Sequence, residues 1–226
     1  MVTANYQEII RRIQKTCIES GRPAGSVSLV VVSKTQPAGA IRELYDLGVR
    51  DFGENRVQEL LDKKDLLPAD IRWHLIGSLQ TNKVKYIADF IHLIHSADRP
   101  DLLAEIDKQG KKIDRVIPVL LQVRVASEET KHGCLPTELP GLVRFAAGLT
   151  NIEVKGTMTM ASFTDDKEQI RDEFLRFFSV IPDSIRNRPD SLFSAGMTSD
   201  FEEAIRSGSN LVRIGSAIFG ERSAPV

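Results

Sequence analysis

The chain has 226 residues, with 30 Lys and Arg against 31 Asp and Glu and a formal net charge of −1. A balance so close to neutral, without any basic run, excludes a nucleic-acid-binding field and an electrostatic membrane anchor, and no apolar stretch approaches the ~20 residues of a membrane span. Two cysteines in unlike surroundings, Cys17 and Cys134, exclude a disulfide framework and fit a reducing compartment. The N-terminal segment is amphipathic, carries Glu8 and has no signal-peptide core, so a cytoplasmic protein is expected.

Residues 3–20 read as a helix, with Tyr6, Ile9, Ile10, Ile13 and Cys17 at helical spacing and Gly21 ending it. An alternation then begins. The apolar run 27–33 is a strand, followed by a helix opened by Pro37 and stopped by Gly48. A short strand over 49–52 precedes the helix of Val57, Leu60 and Leu61, and strand 72–76 precedes a helix over 79–88. Strand 90–95 leads to a helix over 99–109, and 115–125 is the longest apolar strand. The helix of Leu139, Leu142 and Val143 leads to strand 152–158, and the helix of Phe174, Leu175 and Phe177 to strand 192–194. The helix over 201–205 leads to the eighth strand, 211–214. Eight strands, most of them apolar on both faces and alternating with helices, predict a parallel sheet covered on both sides. They close most simply into a (β/α)₈ barrel, with an open doubly wound sheet as the alternative.

In a barrel, function sits in the loops after the strands. Lys34 ends the first strand, where an amine is costly to place unless it is paired, neutral or covalently used, although a snorkelling surface lysine fits the segment equally well. After strand seven, Gly196-Met197-Thr198-Ser199-Asp200-Phe201-Glu202 has capping-box spacing between Ser199 and Glu202. After strand eight come Gly215 and Ser216. Together these loops suit a phosphate, and ordinary capping satisfies the same residues. Arg213, inside the eighth strand, can face that phosphate or donate to a ring nitrogen with its own pKa above 12; an internal salt bridge with a barrel glutamate is the alternative. Asn55 lies at the second loop, where Glu54 pairs with a lysine or, the better expectation, caps a helix. Ile76-Gly77-Ser78 forms another glycine turn on the same face. The four histidines predict no metal site: His92 and His95, three apart, fall on opposite strand faces, and His132 with Cys134 lacks partners. No nucleophile elbow, Walker A or Rossmann fingerprint occurs. An amine, a phosphate cradle and an arginine on one face suit a Schiff base with a phosphorylated aldehyde, of which pyridoxal 5′-phosphate (PLP) is the obvious example.

Six motifs in order carry a resemblance. Val32-Ser33-Lys34-Thr35, Phe52-Gly53-Glu54-Asn55, Trp73-His74-Leu75-Ile76-Gly77, Lys131-His132-Gly133, Gly196 to Phe201 and Val212 to Gly220 resemble the pyridoxal phosphate homeostasis protein family over about residues 5–222. The resemblance implies a single domain over 1–226, a (β/α)₈ barrel like the N-terminal domain of alanine racemase, with an extra N-terminal helix. It implies PLP as a Schiff base on Lys34, Arg213 near the pyridine nitrogen, Thr198, Gly215 and Ser216 at the phosphate, and Asn55 in the pocket, with Ile76, Gly77 and Met197 completing the cofactor-binding set. Ser78, Thr198, Ala195 and Arg124 depart from the family's more usual histidine, serine, methionine and asparagine.

A racemase of this fold needs a second base, a tyrosine from an additional β domain. This chain ends a few residues after strand eight, and Tyr6, Tyr45 and Tyr86 all fall in helices covering the barrel's outside. The resemblance therefore implies a carrier that buffers or delivers PLP without turnover, as a monomer or weak dimer. Its recipients would be PLP-dependent apo-enzymes, with neither nucleic acid nor membrane as a partner. A weak amino-acid racemase is the rival reading and a Schiff-base aldolase a more distant one. Lys131 is a further aldehyde-reactive candidate beside the simpler reading of a solvated loop lysine.

Overall fold

Val30, Val31 and Val32 show why the strands form: β-branched side chains suit a pleated surface, and burial on both faces rewards an unbroken apolar run. The structure, a computed structural model, describes residues 1–126, 128 and 132–220. Eight parallel strands, β1 (Ser28–Val32), β2 (Asp51–Glu54), β3 (Arg72–Leu75), β4 (Leu93–Ala97), β5 (Ile117–Gln122), β6 (Ile152–Met158), β7 (Leu192–Ser194) and β8 (Leu211–Ile214), pair in chain order and close into a barrel. Closure runs through β1 and β8, where Val30 stands opposite Arg213. The (β/α)₈ architecture is as expected, and the open sheet is excluded.

Helix α1 (Val2–Glu19) precedes the barrel and buries Ile9, Ile13 and Cys17. The outer ring comprises α2 (Ala38–Asp46), α3 (Val57–Lys64), a 3₁₀ helix (Thr81–Tyr86), α4 (Pro100–Lys112), α5 (Leu139–Ala147), α6 (Lys167–Val180), α7 (Asp183–Arg186), α8 (Phe201–Ser207) and α9 (Ser216–Phe219). The helix expected over 79–88 is the 3₁₀ segment. Val84 and Ile87, three apart, are both fully buried, a spacing that a 3₁₀ turn satisfies, and Thr81 and Asn82 are weak α-helix formers. Strand β4 starts later than expected because Phe90 and Ile91 donate their N–H groups to the Ile87 carbonyl, completing that turn before the ladder begins. Strand β5 is shorter than expected at both ends: Arg115 turns its guanidinium onto the Ala88 and Ile91 carbonyls, and beyond Gln122 Val123 makes only an isolated bridge to Cys134. Among the described residues, no helix is long and apolar enough to cross a membrane.

The main core lies between strands and helices, while a smaller apolar cluster of Val30, Leu93, Leu120, Met158 and Leu211 fills part of the barrel interior. Buried polar side chains occupy the rest of the strand ends: His74, His95, Gln122, Ser194 and Arg213. Strand β6 bends at Gly156, where φ is +153° and the register against β5 shifts. A Cβ on Gly156 would overlap the Leu192 carbonyl of β7. Gly156→Ala is therefore expected to cost about 2 kcal/mol or more, from the strained φ and the displaced strand. Urea unfolding checks this, and an unchanged midpoint would remove the bulge from the account.

Candidate functional site

At the carboxyl ends of the strands lies a cavity of about 520 Å³. Lys34, Asn55, Ile76, Gly77, Met197, Thr198, Arg213, Gly215 and Ser216, the nine residues singled out in the sequence, all line it. They come from the ends of β1, β2, β3, β7 and β8, which only barrel closure brings within one cavity. Gly77 allows the third loop its close approach, since a Cβ there would overlap the Asn55 carbonyl.

Lys34 is half-buried and follows a strand end that is tied down on both sides. Lys63, 7 % exposed on α3, donates to the Ser33 carbonyl at 2.8 Å, to Glu54 Oε1 at 2.8 Å and to Glu59 Oε1 at 2.7 Å. Ser33 Oγ donates to the same Glu54 oxygen at 2.7 Å, and the Thr35 N–H donates to Glu59. The residues before and after Lys34 are thus held by one buried charge network, and Thr35 takes a φ of +65° to meet it. Glu54 does not cap a helix, as the sequence favoured, but pairs with Lys63: it is fully buried between the end of β2 and α3, where Lys63 reaches it. Burial raises the Glu54 pKa, and the hydrogen bonds from Lys63 and Ser33 only partly offset that.

Across the cavity, Gly196 turns the chain out of β7 at φ +100°, with Phe201 packed where a Cβ would stand. The expected Ser199–Glu202 capping box does not form. Asp200 stands at the N-cap position of α8 without a side-chain capping bond and accepts the Met197 N–H at 2.5 Å, while Glu202 pairs with Arg12 of α1 at 3.0 Å. A neighbouring helix thus offers Glu202 a cation, which local spacing could not reveal. Ser216 Oγ donates to Thr198 Oγ1 at 3.1 Å, and the Ala217 N–H reaches the same oxygen at 3.4 Å, so the two loops meet through their hydroxyls.

Arg213 is 3 % exposed and donates to Ser194 Oγ at 2.5 Å and to the Thr159 carbonyl at 2.9 Å. Burial pushes its pKa down to about 10, below the expected floor of 12 yet still cationic at neutral pH. The alternative of a salt bridge with a barrel glutamate fails, because the buried Glu54 is committed to Lys63.

Other cavity residues escaped the sequence reading: Gln36, Gln122, Met160 and Phe163. Gln122 ends β5 and was accessible to the same strand-end argument as Lys34, whereas Phe163, 92 % exposed at the rim, carried no local signal. Lys131 lies outside the described residues. The histidines also differ from expectation. His92 precedes β4 rather than belonging to it, so both His92 and His95 reach His74, with ring centroids 5.3 and 5.2 Å away. Ligand atoms of Asp51, His74 and His92 lie within 4.8 Å of one another. Arg72, however, clamps both Asp51 oxygens at 2.7 and 2.5 Å, which meets the carboxylate's charge and opposes a cation there.

Removing one member of a buried pair leaves the other charge uncompensated, at a cost of about 3–5 kcal/mol. Lys63→Met is expected to lose stability on that scale. A carboxyl whose folded pKa is raised disfavours the folded state as pH climbs from the ordinary carboxylate range through that raised value. The deficit of Lys63→Met relative to the parent should therefore grow with pH, shrink in acid, and be largely rescued by Glu54→Gln. Denaturant titrations across that range provide the check, and a pH-independent deficit would count against the Glu54 assignment.

The chain matches the family model described as alanine racemase, N-terminal domain, over residues 4–223. It is 42 % identical over 217 residues to the pyridoxal phosphate homeostasis protein of Aquifex aeolicus, covering 95 % of each chain. It is 36 % identical to the protein of that name from Pseudomonas aeruginosa, covering 98 % of this chain and 96 % of the relative. Among solved structures, PipY of Synechococcus elongatus with PLP bound is similar at a TM-score of 0.79 and 31 % identity, over 94 % of this chain and all of that one. Alanine racemase from Bartonella henselae, at 17 % identity and a TM-score of 0.73 over 97 % of this chain and 58 % of that one, shares the barrel fold. By sequence over nearly its whole length, this chain belongs to the pyridoxal phosphate homeostasis protein family.

Proposed function

We propose that this protein binds PLP in the cavity at the carboxyl ends of its strands, attached through Lys34, and takes part in intracellular PLP homeostasis without catalytic turnover. The observation that carries this reading is one cavity lined by an amine (Lys34), a guanidinium (Arg213) and a joined hydroxyl pair (Thr198 and Ser216). That donor set fits an aldehyde that also bears a phosphate and a ring nitrogen. PLP supplies a reversible Schiff base to an amine. Lys34 offers that amine from a strand end immobilised by Lys63 and Glu54. Thr198, Ser216 and the backbone at Gly215 would hold the phosphate, and Arg213, which keeps its charge, would face the ring nitrogen without surrendering a proton. Asn55, Ile76, Gly77 and Met197 would line the remaining walls. Both PLP-named relatives and the PLP-bound PipY structure support the choice of ligand.

The absence of turnover rests on where the tyrosines lie. Tyr6 sits on α1, Tyr45 on α2 donates its hydroxyl to Asp70 at 2.6 Å, and the exposed Tyr86 ends the 3₁₀ helix; none lines the cavity. A two-base racemisation needs a base on each face of the substrate carbon, and Lys34 provides one. PLP-dependent apo-enzymes would be the recipients, and the protein would act in the cytoplasm as a monomer or weak dimer.

Purified protein given PLP should develop a Schiff-base absorption band that borohydride fixes onto Lys34, and Lys34→Ala should abolish it; a normal band in that variant removes Lys34 from the role. Thr198→Ala with Ser216→Ala should weaken PLP by roughly 1–3 kcal/mol, as for hydrogen bonds to a charged group, and leave unphosphorylated pyridoxal little changed. Equal losses for both ligands would displace the phosphate from this end of the cavity. Deuterium exchange at Cα across a panel of amino acids separates carrier from racemase: Lys34-dependent exchange at enzymic rates would overturn the carrier reading.

A further inference from the structure

Behind Arg213, the barrel interior holds a hydrogen-bonded chain that cofactor capture does not use. Arg213 donates to Ser194 Oγ at 2.5 Å, Ser194 Oγ lies 3.1 Å from His95 Nδ1, His95 Nε2 lies 2.9 Å from His74 Nδ1, and His74 Nε2 lies 3.1 Å from Asp51 Oδ1. These five residues belong to β8, β7, β4, β3 and β2, so the chain crosses the barrel from the cavity to the first residue of β2. Ser194 and His95 are fully buried, His74 nearly so, and Asp51 is anchored by the double ion pair with Arg72.

The two ends dictate where the protons sit. A guanidinium only donates, so Ser194 Oγ accepts from Arg213; an ionised carboxylate only accepts, so His74 Nε2 carries a hydrogen. Asp51 is ionised: burial alone would raise its carboxyl, but hydrogen bonds from Arg72 and His74 outweigh this and hold it well below the usual range. Burial, with His74 and Arg213 nearby, pushes the His95 imidazole well below its ordinary pKa, so it is neutral. With His95 neutral and the hydrogen of His74 on Nε2 alone, a single arrangement satisfies every link. Ser194 donates to His95 Nδ1, His95 Nε2–H donates to His74 Nδ1, and His74 Nε2–H donates to Asp51. Each bond points from guanidinium towards carboxylate and polarises the next.

We propose that Ser194, His95 and His74 are positioning residues for Arg213: this proton-ordered chain, anchored on Asp51, fixes the orientation of the guanidinium at the cavity and thereby the electrostatic environment of the cofactor ring. The effect at the ring rests on the PLP reading; the ordering of the chain does not.

Two measurements test it. In protein without added cofactor, ring-nitrogen NMR shifts should report the hydrogen of both His74 and His95 on Nε2, with each Nδ1 bare. A hydrogen on Nδ1 of either ring, or a cationic ring, overturns the ordering whatever becomes of the PLP reading. In PLP-loaded protein, with borohydride trapping as the measure of occupancy, Ser194→Ala and His74→Leu should both keep attachment to Lys34. Each should shift the cofactor absorption band in the same direction and release PLP on the order of tenfold faster, the scale of one charge-assisted hydrogen bond. Ser194→Thr, which retains the hydroxyl, should match the parent. The double variant should go no further than Ser194→Ala alone, because the chain is already cut. An unmoved band in His74→Leu, a residue that does not line the cavity, or additive effects in the double variant, would overturn the positioning role. If the parent itself fails to take PLP on Lys34, the cofactor reading falls and the role at the ring with it, while the tautomers decide the chain separately.

Discussion

Closure of eight parallel strands is the constraint on which everything else depends. A parallel strand cannot turn back on itself, so each must be followed by a crossover, and every strand then ends at the same mouth of the barrel. The β1–β8 pairing sets Val30 beside Arg213 and Val31 beside Ile214. The loop carrying Lys34 therefore lies next to the loop of Gly215 and Ser216, at opposite ends of the sequence, and no local interaction could have joined them. Helix α1 lies outside this arrangement and is linked to it through Arg12 and Glu202 on α8.

The barrel interior makes a second demand. Its apolar cluster is small, and the remaining space holds charged and polar groups that are costly to bury unless each finds a partner. Two networks answer much of the cost of burying charge, one between the strand ends and α3 and the other inside the barrel. Lys63, Glu54, Ser33 and Glu59 bind the first strand end to α3 and hold the backbone on either side of Lys34. Asp51, His74, His95 and Ser194 lead inward to Arg213. The backbone on either side of Lys34 and the guanidinium of Arg213 are thus held at the same cavity by groups that do not line it. A scaffold of this kind suits holding a ligand. It supplies positioned donors, and the tyrosines that could have acted as a second base lie elsewhere on the surface helices.

The sequence made strand number, strand direction and the residues at strand ends legible, because two-sided burial leaves an apolar run in the chain and parallel topology gives strand ends a common face. Lys34, Asn55, Thr198, Arg213 and Ser216 could be singled out for that reason, each being polar where a run stops. The family motifs extended the set to Ile76, Gly77 and Met197. Partnerships were another matter. Glu54 read best as a helix cap and is an ion-pair partner; Ser199 and Glu202 had capping-box spacing and form no box; His92 and His95 were assigned opposite faces and both meet His74. In each case the local pattern was compatible with several partners, and the choice fell to a residue on another strand or helix, such as Lys63 or Arg12. The hydrophobic period of the chain determined eight strands alternating with helices and the polar residues at their ends. The closed barrel, rather than an open sheet, was implied by the family resemblance and decided by the structure. Only the closed tertiary structure decided which buried charges meet, because hydrogen bonds and ion pairs depend on distances across the barrel that sequence separation does not encode.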